Sequence, residues 1–134
     1  MLTAALVLAA LAALLHVYIF ILESVRWTAE STRRTYGVPS LEVAETLKPM
    51  AYNQGFYNLF LAIMAGLGVV LAVAGHTAVG ATLVFAGAGS MLLAAIVLIT
   101  NDRTKLRAGA VQGTFPLIAV ALLGIAAGTG ALAG

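Results

Sequence analysis

Three stretches of this chain, residues 1–22, 49–101 and 108–134, contain no Asp, Glu, Lys or Arg. In hydrocarbon every backbone N–H and C=O must be paired inside the segment, which leaves the helix as the way for such a stretch to cross a bilayer. About 20 apolar residues suffice for one crossing. The first and third stretches each hold one span, and the middle one holds two, joined by a turn at Gly75, His76 and Thr77. The sequence therefore predicts an all-α protein: an integral membrane bundle of four transmembrane helices near residues 2–26, 51–74, 78–100 and 111–132, in a single membrane domain covering 1–134.

Charge placement orients that bundle. All seven Lys and Arg fall in two short segments, Arg26 to Lys48 and Arg103 to Arg107. Four spans alternate sides, so both segments lie on one face, which the positive-inside rule assigns to the cytoplasm. The expected topology is N-out and C-out, multi-pass, in a bacterial cytoplasmic (inner) membrane. A hydrophobic content of 62% with mean hydropathy +1.05 excludes an ordinary soluble domain. The net charge of +2 does not argue for a nucleic-acid partner, because the basic residues are interleaved with Glu30, Glu42 and Glu45 and sit beside the spans. Contact with lipid head groups accounts for them. The first helix lacks the basic n-region of a secretory signal and reads as an uncleaved span. With no cysteine, thiolate chemistry and disulfides are excluded.

Polar residues within the spans carry the functional information, since an ionisable group in hydrocarbon is costly unless paired or wetted. At about 100° per residue, His16, Glu23 and Trp27 return to one stripe of the first helix, with His16 about 10 Å deeper than Glu23. The second span opens with Asn53-Gln54-Gly55-Phe56-Tyr57-Asn58, in which Asn53 pairs vertically with Tyr57 and Gln54 with Asn58. Gly55 leaves room for close approach of another helix. The fourth span starts with Gln112-Gly113-Thr114-Phe115-Pro116. Helices 1 and 3 end, and helices 2 and 4 begin, on the same side. His16, Glu23, Asn53, Gln54, Tyr57, Asn58 and Gln112 thus gather in one leaflet as a candidate ligand-binding pocket.

Each of these residues also has a purely structural reading. Amides and hydroxyls brace membrane helices at roughly 1 kcal/mol per bond, a neutral His16 can bond a backbone carbonyl, and Glu23 can pair with Arg26 or Lys48. Trp27 and Tyr18 read as interfacial aromatics, and His76 as a solvated turn residue. Gly109 with Gly113, and Gly124 with Gly128, have the Gly-x-x-x-Gly spacing of tight helix packing or an oligomer interface. Between spans 1 and 2 a cytoplasmic loop, 28–48, is expected to carry a short interfacial helix near 40–48, started at Ser40 and a candidate lid over the pocket.

The strings His16-Val17-Tyr18-Ile19-Phe20-Ile21-Leu22-Glu23 with Trp27, Glu45-Thr46 leading into Asn53–Asn58 and Phe60-Leu61-Ala62, and Val111-Gln112-Gly113 with Pro116 resemble the bacterial membrane family called domain of unknown function 1304. The resemblance covers all four spans, and its most specific part is Asn-Gln-Gly-x-Tyr-Asn. It implies a small four-helix membrane protein and brings no activity. Ile96 to Ile99 and Pro116-Leu117 stand where family members tend to have a Gly-Tyr-Gly-like segment and a Pro-Ala pair.

The leading expectation is binding of a small molecule or lipid in the polar pocket. A second is an intramembrane enzyme acting on a quinone-like or other apolar lipid, with His16 or Glu23 as acid or base. A third is an accessory or assembly subunit docked on a membrane protein partner, or a homo-oligomer. A channel has less support, because the outer half lacks polar groups. No metal-binding set, catalytic motif or cofactor is specified: the two histidines are expected on opposite sides of the membrane.

Overall fold

The computed structural model describes residues 1–130 and 132; Ala131, inside the predicted fourth span, lies outside them. Among the described residues all regular structure is helical: α1 (Leu2–Phe20) continued by a π turn (Ile21–Val25), α2 (Glu30–Tyr36), α3 (Leu41–Val73), α4 (Thr77–Asn101), a 3-10 turn (Arg103–Lys105) and α5 (Leu106–Gly128). Four stretches, Leu2–Val25, Leu41–Val73, Thr77–Asn101 and Arg103–Gly128, are long and apolar enough to cross a membrane. The chain folds as a multi-pass helical bundle. α1 and α4 each pack against both α3 and α5, so α1 and α4 stand on one diagonal.

Packing is inverted relative to a soluble bundle. The buried positions are dominated by alanine, including Ala5, Ala9, Ala12, Ala65, Ala88 and Ala119, while Val7, Leu14, Phe60, Leu93 and Ile125 point outward. In lipid the tails are as apolar as leucine, so helices associate through close backbone contact over small residues. α3 and α4 meet in this way: a Cβ on Gly68 would stand 2.7 Å from the Gly80 carbonyl oxygen, and one on Gly87 would stand 2.8 Å from the Ala65 nitrogen. Gly109 and Gly113 likewise face Ala95 of α4, whereas Gly124 and Gly128 have nothing within 4 Å and face outward. Among the described residues, only the first of the two Gly-x-x-x-Gly pairs is used inside the chain.

Two elements differ from the sequence-based expectation. The predicted interfacial helix near 40–48 and the predicted span from 51 are one continuous helix, α3, which runs through Pro49. Ser40 does start it, its Oγ accepting from Val43 N at 3.2 Å. A proline removes one N–H and crowds the preceding turn, but the helix continues because Trp27, Ala44, Ala51 and Leu47 form one apolar cluster on both sides of Pro49. At 1.5 Å per residue, the 33 residues of α3 extend about 50 Å, beyond the roughly 30 Å hydrocarbon core.

The segment folded across the basic end is α2, which no periodic pattern announced. It ends at Gly37 (φ 71°), where Val38 N donates to Arg33 O at 2.8 Å and so closes the last turn. The opposite turn uses Gly75 (φ 94°) in the same manner, with His76 N donating to Leu71 O at 2.9 Å. His76 is exposed there, as its turn position suggested.

Candidate functional site

The site begins with a change of helical pitch. After Phe20 the first span widens into a π turn, closed by Arg26 N donating to Ile21 O at 2.9 Å. Single π turns of this kind recur at functional sites. Here the turn is laid directly on α3, because Gly55 has no side chain: a Cβ there would stand 3.1 Å from both Glu23 Cβ and Ser24 N. Ser24 Oγ donates to Tyr52 O at 2.9 Å and Phe20 packs edge-on against Phe56 at 5.1 Å, fixing the register of the two helices.

That contact turns Glu23 inward, where it is 9% exposed. Asn58 Nδ2 donates to Glu23 Oε2 at 2.9 Å and, with its other hydrogen, to Gln54 O at 3.1 Å. Tyr36, brought in by α2, lines the same cleft as Glu23. Burial in the first place, and the negative charge of Glu23 in the second, push the Tyr36 phenol well above its ordinary range. Both salt bridges among the described residues lie elsewhere, Arg34 with Glu30 and Lys48 with Glu45. Neither Arg26 nor Lys48 neutralises Glu23.

Trp27, expected as an interfacial aromatic, is buried. Its Nε1 donates to Ala44 O at 2.9 Å, and its ring meets Tyr36 edge-on at 5.2 Å and 64°. Together Glu23, Trp27, Tyr36, Met50, Ala51 and Gln54 enclose an open cleft of about 180 Å³. Lys105 Nζ reaches Tyr36 O at 3.5 Å, so the second basic segment holds the end of α2 above the bundle.

The structure divides the sequence-based candidates into three groups. Glu23 and Gln54 line the cleft, and Asn58 stands behind them, bonded to the Glu23 carboxylate and the Gln54 carbonyl. Asn53 and Tyr57 are exposed on another face of α3. His16 is buried in α1, its Nδ1 donating to Ala12 O at 2.9 Å, and Gln112 is half-buried on α5; neither lines the cleft. Tyr36, Met50, Ala51 and Ser24 were not singled out from the sequence. Trp27 was legible, since it shares the helical stripe of Glu23, but it was read as an anchor.

A second, apolar groove of about 340 Å³ lies at the other end of the bundle, between Leu2, Leu6 and Val7 of α1 and Val69 and Val73 of α3. Comparisons with curated proteins and with solved structures returned no match. The model of a family described as "Protein of unknown function (DUF1304)" matches residues 10–124, and the chain belongs to that family.

Proposed function

We propose that the protein binds a small molecule or lipid head group in the cleft around Glu23, at the end of the bundle that faces the cytoplasm of a bacterial inner membrane. The observation that carries this reading is a buried carboxylate with no cationic partner, opening onto a cleft walled by two aromatic rings. A carboxylate removed from water without a counter-charge is costly, and a group kept at that cost is a functional candidate. The orientation follows from the basic residues gathered at this end.

The pocket in this proposal is smaller than the seven-residue set expected from sequence. It comprises Glu23 and Gln54 from that set, with Trp27 and Tyr36, and Asn58 supports it by holding the Glu23 carboxylate. His16 sits apart from it and bonds within its own helix, which removes support from a reaction that uses His16 and Glu23 together.

The test is native mass spectrometry of the protein gently extracted from its own membrane, compared with Gln54→Trp, which fills the cleft from an exposed position. A molecule retained by the parent and lost from the variant is expected; equal retention in both would defeat the proposal.

One observation favours a second reading, a docked subunit: Asn53 and Tyr57 leave uncovered polar groups on an outward face of α3, and Gly124 and Gly128 an uncovered small-residue face of α5. Native purification distinguishes the two readings, because docking requires a stoichiometric protein partner that Asn53→Leu/Tyr57→Leu releases.

A further inference from the structure

We propose that the cleft receives the ammonium group of an amine-bearing amphiphile, with Glu23 as its counter-charge and the rings of Trp27 and Tyr36 as its walls. This rests on the binding reading above and names the chemistry of the ligand.

Charge comes first. Glu23 is met by the Asn58 amide, a neutral donor. Of the seven cations at this end, four are engaged elsewhere, Lys48 on Glu45, Arg34 on Glu30, Arg33 Nε on Thr28 O at 3.3 Å and Lys105 on Tyr36 O, and among the described residues neither Arg26, Arg103 nor Arg107 forms an ion pair with Glu23. Asn58 occupies one carboxylate oxygen, leaving acceptor capacity for a charged N–H donor. An anionic head group would be repelled by the same carboxylate. A head group without a cationic end would leave it uncompensated.

Shape points the same way. Two rings set at 64° with centroids 5.2 Å apart form a corner beside the carboxylate, and aromatic faces attract ammonium groups through their quadrupole. At about 180 Å³, the cleft is smaller than the roughly 300–1,000 Å³ of pockets that enclose drug-sized ligands. It has room for a head group, while the remainder of an amphiphile stays in the bilayer. Met50, 65% exposed at the rim, offers an apolar surface toward that remainder.

The experiment uses the full chain in bilayers of equal phosphatidylethanolamine and phosphatidylglycerol, with the retained lipid identified by native mass spectrometry. The parent is expected to prefer phosphatidylethanolamine, and Glu23→Gln, which keeps an oxygen for Asn58, to lose about tenfold of that preference, the scale of a charge-assisted contact. Tyr36→Phe should keep the preference and Tyr36→Leu should lose it, which provides a test independent of any effect of the Glu23 variant on folding. Displacement by millimolar free ethanolamine would identify a soluble amine as the ligand; resistance to it would identify the lipid-borne one. Equal retention of phosphatidylglycerol in the parent and Glu23→Gln, with loss in Gln54→Trp, would overturn the ammonium assignment and leave the binding reading standing. A parent that holds neither lipid nor ethanolamine would overturn both.

Discussion

At the scale of single residues, the site depends on one missing side chain and one half-buried phenol. Gly55→Ala would drive a methyl group into Glu23 and Ser24 of the π turn, an overpacking expected to cost about 1–3 kcal/mol. Gly124→Ala, with nothing within 4 Å, is expected to leave the thermal midpoint in detergent unchanged or higher, and the two melts side by side check both. Tyr36 gives a pH signature. Its folded pKa lies above the ordinary 10.0, so the stability it contributes is fully present below pH 10 and is lost as pH rises further. Alkaline titration should therefore release α2, read as loss of the near-ultraviolet circular dichroism of Trp27, and Tyr36→Phe should shift that loss to higher pH. Part of this arrangement was legible: Gln54 and Asn58, four residues apart, share the face of α3 on which Asn58 bonds Glu23. Tyr36 was not legible, because it joins the cleft through a short loop helix with no hydrophobic period. His16 entered the candidate set because helical spacing identifies a face without showing what lies opposite it.

At the scale of elements, hydropathy located the spans well, since lipid imposes length and apolar composition on each of them directly. It failed between residues 28 and 50, where water and tertiary contacts decide. Pro49 looked like a boundary between an interfacial helix and a span, but Trp27 bonds Ala44 on one side of it while Ala51 joins the same cluster on the other, and the helix continues. Proline in a helix interior is about 3 kcal/mol less favourable than alanine. Pro49→Ala is accordingly expected to raise the thermal midpoint by restoring the donor for the Glu45 carbonyl, and an unchanged or lower midpoint would show that α3 needs its proline to reach Trp27. The π turn could not have been anticipated from periodicity, because a single wide turn near the end of a helix that is apolar on nearly every face leaves no trace in hydropathy. Its consequence is local: it brings Glu23 and Ser24 against α3 where a regular turn would direct them differently.

For the whole molecule, the orientation proposed here has a direct check, made clean by the absence of native cysteine. In intact cells, His76→Cys in the α3–α4 turn should react with a membrane-impermeant maleimide, while Ser31→Cys in α2 should react only after the membrane is opened; the reverse pattern would invert the topology. The small-residue interior has a wider consequence. A soluble bundle tolerates exchange on its surface and resists loss of volume in its core. In this protein the outward leucines and valines meet fluid lipid that refills any space they vacate, so shortening Leu93 or Val70 should pass unnoticed. Enlarging Ala65 or Gly80, where neighbouring backbones already touch, should not be tolerated. The chain's sensitivity to mutation would then follow crowding rather than hydrophobicity, and its least bulky residues would be its least replaceable.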